Sequence, residues 1–472
     1  MLTFFICLAA LIVGYFIYGK IVDSIFGSDG NRATPCTTCA DGVDYVPMNR
    51  YKIFLVQLLN IAGLGPIFGP ILGALYGPSA LIWIVIGTIF GGAVHDFFSG
   101  MLSMRYNGES VPDVVGYNLG NFFKQFMRGF AVILLLLVGV VFVLGPAKLL
   151  DQLSGLSTMA WVAIIFCYYF LATMLPIDKL IGRLYPLFGA VLLFMAVGLA
   201  ITILASDHTI YPQMTLENLH PKGLPIWPLM FITIACGAIS GFHATQSPLM
   251  ARCVQNEKMG RGVFYGAMVG EGIIALIWAT LGMSFYQSPE MLQAALAKGG
   301  PAGVVNEVCT SLLGGFGGVL AVIGVVILPI TSGDTAFRAA RLIVADFLKM
   351  SQKEVAKRLM IAVPLFVIGF IISKSEFNVI WRYFGWANQT LAAVVLWAAA
   401  AYLIMRGKFH WICTIPAVFM TAVTFTYLCY APIGFRMPLQ PATYVGIGVA
   451  IVAFVAFMVR FRNLRVPEGT TN

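Results

Sequence analysis

Five ionisable side chains interrupt otherwise apolar stretches of the chain. They are His95 and Asp96 in AVHDFFSG, His243 in AISGFHATQSP, Glu271 in GAMVGEGIIALIWATLG and Asp334 in ILPITSGDTAFRAARLI. A charge in hydrocarbon is costly, so an ionisable group kept there is a functional candidate that needs a partner. Glu271, between two glycines, is either neutral or held charged by a neighbour, and such a carboxyl can take up and release a proton. A hydrogen bond between helices is its plainer role. His243 suits contact with a substrate or a proton. His95 and Asp96 are adjacent, and neighbours on a helix point apart, so they read as structural and not as a self-contained acid and base. Thr331 and Ser332 offer two hydroxyls at one end of a span, a set suited to sodium if carbonyls freed by a broken helix complete it. Hydroxyl-to-backbone bonding, with Asp334 paired to Arg338 at i, i+4, is the alternative. Asn388 and Gln389 in FGWANQTLAA either line a cavity or bond two helices together.

The elements that must position these groups are themselves broken. The apolar run 51–76 contains NIAGLGPIFGPILGALYGP from Asn60 onward, with Gly63, Gly65, Pro66, Gly69 and Pro70 near its middle. Proline removes a backbone donor and glycine adds freedom, so an unbroken helix is not expected there. A second run, 226–253, is broken around Ser240, Gly241, Phe242 and His243. Unwound backbone at membrane depth survives only where protein or a polar cavity covers it. Two interrupted spans in matching places point to a transporter's binding site. The expected substrate site is the backbone of Gly63, Gly65, Pro66, Ile67 and Phe68, faced by Gly241, His243 and Gln246, with Asn388 and Gln389 at its edge. At Gly65 a Cβ would crowd unwound backbone and block a left-handed conformation.

The rest of the chain agrees. It has 472 residues, 59% hydrophobic and 10% charged, with mean hydropathy +0.88. So little charge predicts an all-α integral membrane protein. Thirteen spans are expected, at about 2–26, 51–76, 79–104, 127–149, 157–176, 182–204, 225–253, 262–286, 314–335, 358–373, 377–402, 409–430 and 441–460, with 107–126 an amphipathic surface helix. Each interruption opens a set of five spans, 51–204 and 225–402. Five is odd, so the two sets insert in opposite senses, as an inverted repeat requires. An accessory span (1–26) and a polar loop (27–50) with Cys36 and Cys39 precede them; two spans and a basic tail (403–472) follow. With the N-terminus outside, 23 of the 29 Lys and Arg fall on the inner side and 6 (Lys148, Lys222, Lys298, Lys374, Arg382 and Arg436) outside. The net charge of +9 is therefore topological, the C-terminus is inside, and no nucleic-acid partner is needed. Without a basic n-region the first span reads as retained, not as a signal peptide. One CxxC without a second pair is thin ground for metal or redox chemistry. No nucleophile triad, phosphate loop, zinc motif or nucleotide cassette is present, and no cofactor is implied beyond a coupling Na+ or H+. Energy then comes from an ion gradient or from the substrate's own.

GLGPIFGPILGALYGP, AVHDFFSG with MRYNGES, AISGFHATQSP, TSGDTAFRAAR and FGWANQTLAA, in this order, resemble the carbon starvation protein A (CstA) family over most of residues 1–400. Members take up peptides and, in some branches, pyruvate across the bacterial inner membrane. The resemblance implies the amino acid–polyamine–organocation superfamily and its LeuT-type five-plus-five inverted repeat. It places the paired hydroxyls of a sodium site on Thr331 and Ser332, completed by backbone oxygens near Leu59 and Ala62. It also aims the half-helix starting near Pro66 at a substrate carboxylate. The expected function is ion-coupled import of small carboxylate-bearing nutrients, with Thr331 and Ser332 arguing for sodium and Glu271 for protons. The balance favours sodium. A sensor or channel is the alternative; an intramembrane enzyme built on His95, Asp96, His243 and Glu271 lacks a nucleophile or metal set.

Overall fold

A computed structural model describes residues 2–174, 177–205, 215–352 and 354–465; part of the expected 205–224 loop and the end of the basic tail lie outside them. Every named element is helical. Helices α1 (Leu2–Phe16) and α2 (Tyr18–Phe26) lead to a loop holding the single turn α3 (Pro35–Thr38). Next, α4 (Arg50–Ile61) and α5 (Gly65–Gly73) are bent by 49° across residues 62–64. The Asn49 side chain caps α4 by accepting from the Lys52 amide. Pro66 in the first turn of α5 starts the new helix where it cannot continue the old one.

A π-helical turn, Gly87–Gly92, joins α6 (Ser79–Ile86) to α7 (Ala93–Arg105). The expected surface helix is shorter than 107–126: α8 (Val111–Leu119) ends at Gly120, whose φ of 102° breaks it from α9 (Asn121–Ser154). Most of α8 is buried, and its Asp113 pairs with Lys124 and Arg128 of α9. Helices α10 (Thr158–Met174) and α11 (Ile177–Ala205) follow.

The second break lies between α12 (Phe231–Thr233) and α13 (Gly241–Ala251), ahead of its expected place: residues 234–240 are unwound, and Gly241, Phe242 and His243 form the first turn of α13. Another π-helical turn, Arg261–Tyr265, leads into α14 (Gly266–Tyr286). The stretch expected as an outer loop before 314 is helical: α15 (Pro289–Val322) turns sharply at Gly300 and Gly314, both at positive φ, then runs on toward α16 (Leu328–Leu348). Helices α17 (Val355–Ile372), α18 (Phe377–Met405), α19 (Trp411–Tyr430) and α20 (Leu439–Phe461) complete the chain.

Among the described residues ten helices are long and apolar enough to cross a membrane, eleven if α4 and α5 count as one bent span. The outer helices leave apolar side chains exposed, such as Met360 and Ile371 on α17 and Val452 and Val459 on α20, as a lipid-facing surface requires. The middle of the bundle is α14 against α4 and α5, α13 against α7 and α18, and α16 against α9. Both breaks therefore sit inside protein.

Candidate functional site

The two breaks touch. A Cβ built on Gly65 would lie 2.1 Å from the Cβ of Cys236, and one on Gly69 would lie 2.9 Å from the Thr233 carbonyl oxygen. Gly65 has no positive φ, so it is required by this contact and not, as expected, by a left-handed backbone. Gly237, at φ 91°, does need glycine's freedom, and its Cβ would meet Ala275 at 2.6 Å. Pro66, Ile67 and Phe68 are all buried in the first turns of α5.

Side chains from distant helices satisfy the backbone groups freed by the second break. Thr88 donates to the Gly237 carbonyl at 3.0 Å, and Trp83 Nε1 to that of Ile234 at 3.3 Å. Asn388 Oδ1 accepts from the Phe242 amide at 2.6 Å, and Gln389 Nε2 donates to the Ile239 carbonyl at 3.0 Å. The adjacent amides of α18 thus cap α13 and close the loop before it; a Cβ on Gly241 would overlap the Asn388 carbonyl at 2.2 Å. This is how irregular backbone is tolerated at membrane depth.

At this junction four ionisable side chains, none with any solvent exposure, form one line. His95 Nδ1 lies 2.8 Å from Asp96 Oδ1, Asp96 Oδ2 lies 2.9 Å from His243 Nδ1, and His243 Nε2 lies 3.3 Å from Glu271 Oε2. The last contact is an ion-pair distance without hydrogen-bond alignment. The line joins α7, the first turn of α13 and the second turn of α14. His95 and Asp96, expected to point apart, instead meet, because the imidazole Nδ1 sits close to its own backbone and reaches the next carboxylate. Its ends, His95 Nε2 and Glu271 Oε1, make no hydrogen bond among the described residues. No group of three or more His, Cys, Asp or Glu among those residues is arranged to hold a metal ion.

The hydroxyl pair lies on the other side of the first break. Ser332 Oγ donates to the Leu59 carbonyl at 3.1 Å, joining α16 to the end of α4. Thr331 Oγ1 turns back to Leu328 of its own helix at 2.7 Å. Ala62 is the residue where α4 unwinds. Asp334 accepts from Tyr185 at 2.8 Å, while Arg338 lies 3.6 Å from Asp44 of the loop between α3 and α4. Gln246 donates to Thr245 and leaves its Oε1 unbonded. Sequence reasoning passed over Asn60, in the last turn of α4: it is fully buried, and neither amide atom has a hydrogen-bond partner among the described residues. An asparagine directly before a proline-glycine break was the available signal.

A cavity of about 670 Å³ opens at the end of the bundle away from most of the arginines and descends to Phe68, where the Phe68 and Trp381 rings lie 6.3 Å apart. The other end is tied together by ion pairs and a backbone bridge. There Glu257, nearly fully buried, pairs with Arg105 at 3.2 Å and Arg32 at 3.4 Å, and the Met48 amide donates to the Cys253 carbonyl at 3.0 Å. Cys36 is buried against the Val254 carbonyl, whereas Cys39 is partly exposed.

This geometry has known relatives. A membrane protein of Haemophilus influenzae is 49% identical over 352 residues, 63% of this chain and 95% of its own. The peptide transporter CstA of Campylobacter jejuni is 26% identical over 94% of this chain and 81% of its length. The pyruvate/proton symporter BtsT of Escherichia coli is 28% identical over 56% of this chain and 46% of its own. Among solved structures, a mutant manganese transporter of Eremococcus coleocola superposes with a TM-score of 0.58 at 14% identity, covering 89% of this chain and 97% of that one. Mhp1, a nucleobase-cation-symport-1 family transporter, gives 0.53 at 12% identity, covering 87% and 93%. Both are LeuT-like transporters, and the likeness extends to the fold. The profile described as Carbon starvation protein CstA matches residues 1–155, 131–298 and 291–427, and this chain, a multi-pass inner-membrane protein, belongs to that family.

Proposed function

We propose that the protein is a secondary active transporter importing small carboxylate-bearing nutrients, peptides or pyruvate, by proton-coupled alternating access. Thirteen spans carry it, with repeats 51–204 and 225–402, the accessory span 1–26 before them and the stretch 403–472 after; the N-terminus is outside and the C-terminus inside. The observation that carries the reading is the buried line His95–Asp96–His243–Glu271 at the second break. Two carboxylates and two imidazoles are net neutral when both imidazoles are protonated. Each proton that leaves adds an uncompensated negative charge to a site with no exposure, which is expensive in a low dielectric. Proton release is thereby tied to opening toward water, the coupling a symporter needs. Gly63, Gly65, Pro66, Ile67 and Phe68, with Gly241, His243, Gln246 and Asn60, surround the cargo. Asn388 and Gln389 hold the break that presents His243.

Sodium coupling is the second reading, favoured by Ser332 lying 3.1 Å from the Leu59 carbonyl. A sodium ion would have to replace that hydrogen bond and recruit Thr331 and Ala62. Uptake of labelled pyruvate and dialanine into proteoliposomes separates the two. Glu271→Gln should abolish gradient-driven accumulation while leaving counterflow exchange, because the carrier still moves without its proton site. Undiminished accumulation in Glu271→Gln, with sodium dependence lost in Ser332→Ala, would refute the proton reading.

A further inference from the structure

By the span assignment the end of the bundle around Arg105 and Glu257 carries most of the basic residues, so cations at the opposite end are scarce. Only six Lys and Arg are assigned there by the spans. Three of the six, Lys148, Lys222 and Arg382, line the cavity above Phe68, and a fourth, Arg436, lines an adjoining cavity of about 620 Å³ that shares Leu72, Leu75, Trp381 and Arg382 with the first. None of the described residues lining either cavity is Asp or Glu. Topology does not account for this gathering, since charge bias acts on whole loops and not on one wall of one opening. The four cations come from separate parts of the chain: the end of α9, the segment before α12, the first turns of α18 and the segment after α19. The floor is aromatic: Phe377 stacks on Trp381 with centroids 5.7 Å apart, and Lys148 Nζ lies 5.1 Å from the Phe377 ring. His220 adds a donor at the rim; its Nδ1 accepts from the Lys222 amide at 3.2 Å and its ring packs on Tyr76.

From this placement we infer that the vestibule is an anion-gathering antechamber, which concentrates small organic carboxylates by charge and hands them over an aromatic floor at Phe68 to the first break. The identity of the cargo as carboxylate rests on the transport reading above; the accumulation of anions does not. A cleft lined by one sign of charge, with low-dielectric walls, raises the local concentration of the opposite sign, and added salt removes the effect.

The test uses the full chain in nanodiscs and two quenchers of tryptophan fluorescence, iodide and caesium. The Trp381 signal is isolated as the difference from Trp381→Phe. Iodide should quench it several-fold more strongly than caesium at low salt, and the ratio should approach one at high salt. It should also approach one in the triple variant Lys148→Gln, Lys222→Gln, Arg382→Gln, while the Lys148→Arg, Lys222→Arg, Arg382→Lys triple keeps it. In proteoliposomes at low salt the glutamine triple should raise the KM for pyruvate about five- to tenfold with an unchanged maximal rate. A quenching ratio near one in the unmodified protein overturns the antechamber. A lost ratio with an unchanged KM overturns its role in gathering cargo. If the unmodified protein takes up neither pyruvate nor dialanine yet prefers iodide, the transport reading fails and the antechamber stands.

Discussion

The contact between the breaks can be tested at Gly65. A Cβ there would lie 2.1 Å from Cys236 Cβ and 2.5 Å from its Sγ, so Gly65→Ala forces a shift of about 1.3 Å to reach ordinary contact at 3.4 Å. Overpacking of this kind costs roughly 1–3 kcal/mol in a packed core. If the strain falls on the arrangement in which both breaks meet, that arrangement loses about 5- to 150-fold in population relative to states where they part. The backbone itself tolerates alanine, since Gly65 has no positive φ. Cys236→Gly removes the atoms that Gly65→Ala would strike, so the double variant should regain at least half of what Gly65→Ala loses. Cys236→Gly alone gives the reference cost of losing this buried side chain, whose thiol lies 3.4 Å from Ser240 Oγ and 3.7 Å from Asn388 Nδ2. Counterflow of labelled pyruvate and thermal stability of the purified protein, measured for all four members of the cycle, give the coupling energy. Gly65→Ala with unimpaired exchange, or a double variant no better than that single one, would refute close approach as the reason for the glycine.

Further expectations follow from single residues. Asn60 is buried with neither amide atom partnered among the described residues, at a cost of about 1–3 kcal/mol. Asn60→Leu should therefore raise the thermal stability of the substrate-free protein while abolishing uptake; a variant that is no more stable would mean the amide is already satisfied. A membrane-impermeant maleimide should label Cys39, and Cys36 far more slowly, in inverted vesicles but not in sealed cells, because Cys39 is partly exposed on the loop assigned to the inside and Cys36 is buried. Rapid labelling from the outer face would overturn the orientation.

How much of this was legible depends on what backbone physics alone decides. Pro66 and the glycines around it could not continue α4, so the first break was readable where it occurs, whereas the second, read around Ser240 to His243, lies earlier, over residues 234–240. Asn388 and Gln389 were legible as polar groups that need partners, and the structure gives them the backbone of the second break. The four-residue line was harder, for two physical reasons. Facing was hidden: a π-helical turn immediately precedes both α7 and α14, and each inserts an extra residue that rotates the downstream face. An ideal helical wheel drawn through Asp96 or Glu271 therefore gives the wrong neighbours. Adjacency also misled, since the rule that neighbours on a helix point apart describes long side chains better than an imidazole whose Nδ1 lies near the backbone. Depth, however, was present throughout. Asp96 stands nine residues before Arg105, His243 nine before Arg252, and Glu271 ten after Arg261. At 1.5 Å per residue each lies about 14 Å from an arginine at the same face, before allowing for the wide turn ahead of α14. Ionisable groups at one depth, in a bundle whose interior tolerates them only in pairs, have only each other to meet.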